Sequence, residues 1–364
     1  MPHLFEPFTL KGVTLRNRII VSPMCQYMAT EGVANDWHKA HYASLARGGA
    51  GLVIVEAISV SAEGRITWGD VGLWNDEQAT ALAEIAAEIK KAGAVPGIQI
   101  AHAGRKASTN RPWEGDDHIP ADQPNGWPTI APSAILLGPE SGRVSREMTL
   151  DDIARVQAET VAAVVRARDA GFEWLELHMA HGYLAQNFFS PLSNKRTDAF
   201  GGSAVNRARF LLETFSAVRK IWPEDRPLTV RFGAIDFAGD DERIESEIAA
   251  LLKEMKSAGL DLLDVSGGFN APEVVIPWGP EMMVPLAERL RKETGLPTAI
   301  GWFISAPDEA DRFIREERLA AIMLARPMLV NPHWPYMAAK ALDVENPSWA
   351  TLPAPYAHWL EWYR

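Results

Sequence analysis

Eight short apolar runs, each followed by a stretch with helical patterning, constrain this chain more than any other feature. The runs fall at residues 19–21, 52–58, 97–100, 174–178, 228–232, 262–266, 298–300 and 321–324. Helical stretches follow near 38–47, 76–92, 151–170, 205–221, 242–258, 284–294, 307–316 and 333–342. Parallel strands cannot be joined by a tight turn, and a helix supplies the longer crossover they need. Eight strand–helix pairs fit a closed (β/α)8 barrel of the α/β class better than an open doubly wound sheet. With 364 residues, 47% of them hydrophobic, the chain has material for one large core. No low-complexity linker or block of like charge divides it, so residues 1–364 read as one domain.

Local punctuation supports these boundaries. Thr149 with Asp152 three residues on makes a capping-box pattern. Gly93, Gly171 and Gly259 stand where helices should stop, and Ile153, Val156, Val161 and Val164 give the helix after Thr149 one apolar stripe. Two stretches do not fit the repeat. Residues 101–148 are rich in Pro, Gly, Asp and Trp and too long for an ordinary loop. Following the third strand, they belong at the carboxyl face of a barrel, as a capping excursion expected to set pocket selectivity. The tail, 347–364, holds Trp349, Tyr356, Trp359, Trp362 and Tyr363. That aromatic density suggests docking onto the chain's own barrel or onto a neighbouring subunit.

Charge and cysteine count exclude several classes. Thirty-six basic against 47 acidic residues leave a net charge of −11, which argues against a nucleic-acid partner. One cysteine, Cys25, rules out an internal disulfide and a four-cysteine iron–sulfur cluster. No apolar stretch approaches the roughly 18 to 20 residues of a membrane span, and the first residues lack the pattern of a secretory signal. A soluble cytoplasmic protein with a small-molecule substrate is the expectation.

The candidate chemistry gathers at strand ends. On a strand, side chains alternate between faces, so Trp174, Glu176 and His178 share one face, with His181 and Tyr183 just beyond in a Gly-containing turn. By the same alternation Gln99 and Arg231 point into the barrel mouth. An inward arginine needs an anion or a dipole, which Glu176 on the adjacent strand or a ligand can supply. His178 and His181 admit three readings: metal ligands lacking an evident third donor, structural histidines, or paired donors to one substrate oxygen, where developing charge would be stabilised. The donor pair fits best and makes Tyr183, neutral at pH 7, a proton donor. Cys25 reads as a small buried apolar residue, as a nucleophile in need of a base, or as a weak S–H donor beside a cofactor. Gly301, Ala325 and Arg326, after strands seven and eight, lie where barrels bind phosphate, although Arg326 also suits a surface ion pair.

Four motifs together resemble the old yellow enzyme family, closest to its thermophilic-like, xenobiotic-reductase branch. They are Ser22-Pro23-Met24-Cys25-Gln26-Tyr27, Gln99-Ile100-Ala101-His102-Ala103-Gly104-Arg105, His178-Met179-Ala180-His181-Gly182-Tyr183-Leu184 and Asn194-Lys195-Arg196-Thr197-Asp198-Ala199-Phe200-Gly201-Gly202-Ser203. The resemblance implies an ene-reductase with tightly but non-covalently bound FMN that takes hydride from NADPH or NADH. It reduces the activated C=C bond of unsaturated carbonyls, and also nitro compounds and quinones, by ping-pong kinetics. It implies that Ser22, Pro23, Met24, Cys25, Ala57, Gln99 and Arg231 contact the flavin, with Cys25 tuning its potential. Gly301, Trp302, Ala325 and Arg326 would hold the phosphate end, and Tyr27, His178, His181, Tyr183 and Trp302 would line the substrate side. Trp359 would reach into the site of a partner in a homodimer or dimer-based oligomer. Two departures stand out: Ala325 replaces the family's usual glycine before Arg326, and Gly301-Trp302-Phe303-Ile304-Ser305 is poor in glycine. A methyl at Ala325 costs little if φ is negative and more if it is positive. Alternatives from other classes are a metal-dependent barrel hydrolase, which keeps the histidine pair without FMN, and a binding barrel without chemistry.

Overall fold

The computed structural model describes residues 2–138, 143–271 and 274–363, without the Glu242 side chain. Each of the eight apolar runs forms a strand: β1 (Ile19–Val21), β2 (Leu52–Ser59), β3 (Val95–Ala101), β4 (Trp174–Met179), β5 (Leu228–Ile235), β6 (Leu262–Gly267), β7 (Thr298–Ile300) and β8 (Ala321–Leu324). They pair in parallel in sequence order, and β8 pairs with β1 to close the barrel. The crossovers are α1 (Asp36–Arg47), α2 (Asp76–Lys91), α3 (Leu150–Asp169), α4 (Ala204–Ile221), α5 (Asp241–Ser257), α6 (Val284–Thr294), α7 (Pro307–Arg315) and α8 (Trp334–Ala341). The (β/α)8 barrel expected from the repeat is therefore the fold.

The boundary signals act as their chemistry predicts. Thr149 Oγ1 accepts from Asp152 N at 3.1 Å and the Asp152 carboxylate accepts from Thr149 N at 2.8 Å, closing the capping box of α3. Gly171 and Gly259 take φ of +92° and +103°, the region that favours a residue without Cβ. The stripe of α3 differs by one position: Val161 is half-buried, and Thr160 faces the core instead, its hydroxyl donating to Val156 O at 2.8 Å. Boxes at Asn35/His38 and Asn75/Gln78 start α1 and α2 without the Ser or Thr of the usual pattern.

The amino end of the barrel is closed by an antiparallel hairpin, Phe8–Leu10 with Val13–Leu15. Val13 and Leu15 pack against Leu52, Trp174, Leu262 and Ala321, which are the first residues of their strands, giving a dry plug. At the other end the excursion carries one-turn helices Gly104–Lys106 and Pro112–Glu114 and a parallel ribbon pairing Ile130–Ala131 with Arg146–Glu147. Its residues 139–142 and the chain ends Met1 and Arg364 lie outside the described residues. The fourth motif holds this excursion down: Arg196 Nη1 donates to Pro132 O at 3.0 Å and Met148 O at 2.6 Å. The tail forms helices Pro347–Thr351 and Ala354–Leu360, anchored through Leu352 and Ala357 against Tyr336. Its indoles point away, with Trp359 78% and Trp362 80% exposed. Among the described residues no helix is long and apolar enough to cross a membrane.

Candidate active site

Above the plug, the inward alternation turns polar. Gln99 pairs in register with Glu176, and Arg231 pairs with His178 on one side and Asp264 on the other. Gln99 Nε2 donates to Glu176 Oε1 at 2.8 Å. Arg231 Nε lies 3.1 Å from Asp264 Oδ2, and its Nη1 reaches Ser22 Oγ at 3.4 Å. The carboxylate in contact with Arg231 is thus Asp264, while Glu176, one of the two sources the sequence offered, feels the same charge from beside Gln99. The β6 face Leu262, Asp264, Ser266 follows the same alternation. Burial pushes both Glu176 and Asp264 above the usual carboxylate range, while the Arg231 charge pulls them back.

His178, at the end of β4, and His181, in the turn after it, have ring centroids 4.8 Å apart and nearly perpendicular. Tyr183 sits 5.0 Å from His178 and 6.2 Å from His181. The three rings converge as the sequence suggested. Burial and the Arg231 charge hold both histidines well below the ordinary imidazole range, so they are neutral. Among the described residues, buried His178 Nδ1 has no hydrogen-bond partner. His181 Nε2 pairs with the Ser266 hydroxyl at 2.8 Å, which also accepts from Trp302 Nε1 at 3.1 Å. His181 takes φ of +61°, a conformation uncommon outside glycine. It is held there by Lys106, whose Nζ donates to His181 O at 2.6 Å and Phe269 O at 2.9 Å.

Cys25 lies on the β2 side of the mouth. Burial, then the charges of Asp70 and Glu56, pushes its thiol up, and a protonated thiol is a poor nucleophile. Behind it, buried Glu56 accepts from Gln26 N at 3.0 Å and from Tyr42 Oη at 2.8 Å. Tyr27, at φ +53°, meets Trp113 of the excursion edge-on at 6.0 Å.

A cavity of about 890 Å³ opens at this mouth. Of the residues singled out from sequence, Ser22, Pro23, His181, Arg231, Gly301, Trp302, Ala325 and Arg326 line it. Met24, Cys25, Tyr27, Ala57, Gln99, His178 and Tyr183 do not line the cavity itself, and Trp359 remains on the exposed tail. None of the described residues of the excursion lines this cavity. The loop after β6 contributes Phe269, Ile276 and Trp278. Trp278 stands 5.5 Å from Trp302 and 6.1 Å from Phe303. Sequence reasoning missed these rings because they lie beyond a strand end, where no periodicity points to them. Ala325 has φ of −105°, so its methyl carries no left-handed strain. Cationic Arg231 and Arg326, with apolar Pro23 and Trp302 on the same cavity, suit a large aromatic cofactor bearing an anionic group. No group of three or more His, Cys, Asp or Glu suited to a metal occurs among the described residues.

Fold and mouth together define a barrel enzyme whose carboxyl face takes an anionic aromatic cofactor. Residues 3–345 match the model of the NADH:flavin oxidoreductase / NADH oxidase family. The chain is 43% identical over 341 residues to NADPH dehydrogenase of Geobacillus sp. (strain WCH70), covering 93% of this chain and 94% of that one. Among solved structures it is similar to morphinone reductase, with TM-score 0.78 and 25% identity over 93% of this chain and 90% of that one. 2-Naphthoyl-CoA reductase superposes with TM-score 0.82 and 25% identity over 93% of this chain, which spans about half (52%) of that longer protein. The chain belongs to the old yellow enzyme family. It is an FMN-dependent oxidoreductase that uses NADPH or NADH as co-substrate.

Proposed function

We propose that this enzyme is an ene-reductase, in which NAD(P)H and an α,β-unsaturated carbonyl use the same mouth in turn. The observation carrying this reading is the convergence of His178, His181 and Tyr183 beside a cavity that also holds Arg231. When bound, FMN would supply hydride transfer between the nicotinamide and the activated C=C bond. Ser22, Pro23, Met24, Cys25, Ala57, Gln99 and Arg231 would hold the ring system, where the Arg231 cation would favour negative charge. Gly301, Trp302, Ala325 and Arg326, which line the same cavity, would hold the phosphate end.

On the substrate side, His178 and His181 donate to the carbonyl oxygen and stabilise charge developing on it. His181 exchanges its contact with Ser266 for that oxygen. Tyr183 delivers a proton to the α-carbon, and Tyr27 and Trp302 confine the ring. Nitro compounds and quinones also offer an oxygen for the pair. Residues 1–364 act as one domain in a cytoplasmic, dimer-based enzyme, with Trp359 of the exposed tail completing a second copy's site.

Anaerobic titration of the purified, FMN-loaded protein tests this reading. NADPH should bleach the flavin bands and 2-cyclohexenone should restore them. Bleaching without restoration would leave a dehydrogenase with a different acceptor.

A further inference from the structure

A second void of about 10 Å³, the size of one water molecule, lies beside Tyr183 and shares no lining residue with the mouth cavity. Asp70, Ser59 and Tyr183 supply its polar lining, with Ala57, Ile66, Ala101 and Ala103 around them. Among the described residues nothing hydrogen-bonds the Tyr183 hydroxyl, although that side chain bears the proton the proposed reaction consumes. Asp70 is buried and forms no ion pair among the described residues. Its oxygens accept from Ile66 N at 2.7 Å, Thr67 N at 3.0 Å and Thr67 Oγ1 at 2.8 Å, which organises the loop. Oδ1 takes two of these donors and Oδ2 the third, so the turn fixes the carboxylate in place while Asp70 and Tyr183 line one void.

We propose that Asp70 controls proton release from Tyr183 across this void, restraining it as a carboxylate and permitting it as a neutral acid. The inference rests on Tyr183 being the proton donor. In the step concerned the Tyr183 O–H bond breaks, and the electron pair of the substrate enolate takes the proton to form the α-carbon C–H bond. The O–H pair stays on the phenolate, which solvent reprotonates. Burial is the main reason the Tyr183 phenol lies well above its ordinary range; a neighbouring negative charge disfavours a phenolate further, and Cys25, Asp70 and Asp116 add to the rise in that order while Arg231 opposes it. Burial pushes Asp70 up to about 6, against the pull of the Ile66 and Thr67 donors and the Arg65 cation. Glu56, Cys25 and Tyr27 also feel its charge, and nearby His102 is kept neutral by burial. Below pH 6 Asp70 is neutral and Tyr183 is the stronger acid. Above it the carboxylate holds the proton back.

The experiment follows the enone half-reaction of the FMN-loaded enzyme by stopped flow from pH 5 to 8, with flavin reduction by NADPH as control. The wild-type enone rate should fall severalfold as pH rises through about 6, and Asp70→Asn should remove that inflection, holding the faster rate at pH 8. An ultraviolet titration of tyrosine ionisation, taken as the difference from Tyr183→Phe, should move to lower pH in Asp70→Asn. A wild-type profile without the inflection overturns the proposal before any variant is made. An inflection that persists in Asp70→Asn overturns it too, whereas Asp70→Glu, which keeps a carboxyl group, should retain one. If Tyr183→Phe leaves the enone step at the wild-type rate, the donor reading fails as well. If Tyr183→Phe slows that step but Asp70→Asn changes nothing, only the control by Asp70 fails.

Discussion

The two ends of one barrel are built from the same eight strands and from opposite materials. At the amino end, Leu52, Trp174, Leu262 and Ala321 meet the hairpin in a dry plug. Two residues further along the same inward faces stand Glu176, Asp264 and, on β5, Arg231. The plug is indifferent to which apolar residue fills it, provided the volume is kept. Buried charges are not: each requires a partner or a ligand. The difference teaches where the chemistry lies, because along these inward faces the buried charges Glu176, Asp264 and Arg231 stand above the plug and not in it.

The largest effect expected from this contrast is on stability. Trp174→Ala should cost about 3 to 5 kcal/mol in urea unfolding while leaving the FMN spectrum and the half-reactions intact. A loss of FMN binding out of proportion to unfolding would show that the plug and the site are not separable. At the polar end, burial pushes Glu56 up to about 8, above its unfolded value of about 4.3. The folded state therefore binds more protons between these values, and the stabilisation from this group is lost as pH rises through about 8. Glu56→Gln should flatten the fall in Tm over that window by roughly 2 °C or more. An unchanged pH dependence would mean that Glu56 is ionised in the fold.

His178→Ala should weaken binding of a phenol, which mimics an enolate oxygen, by about tenfold, the worth of one hydrogen bond in a desolvated site. Equal affinity would remove His178 from the donor pair. The smallest effect belongs to the tail. Deletion from Trp359 onward should alter both association state, read by light scattering, and the preference among enones. A change in only one would separate the tail's packing from any part in a neighbouring site.

Much of this was legible before the structure, for definable reasons. Alternation is local, so the strands, the inward face of β4 and the clustering of His178, His181 and Tyr183 could be read from spacing alone. The partner of Arg231 could not, because choosing between Glu176 on β4 and Asp264 on β6 requires knowing how the side chain turns. Ser266 was on the correct face of a recognised strand, but its link between His181 and Trp302 spans three elements. Phe269 and Trp278 lie on a loop without periodicity, and they line the mouth cavity unannounced by any spacing. Ala325 was posed by the sequence as a question of φ, and its value of −105° answers it.

The most direct test of the proposed chemistry is Tyr183→Phe, followed anaerobically in both half-reactions. Flavin reduction by NADPH should stay near the wild-type rate, while oxidation by an enone should slow by a factor of about 100 or more, the usual worth of a positioned proton donor. Equal rates in the second half-reaction, or equal losses in both, would contradict the assignment of Tyr183 as the proton donor.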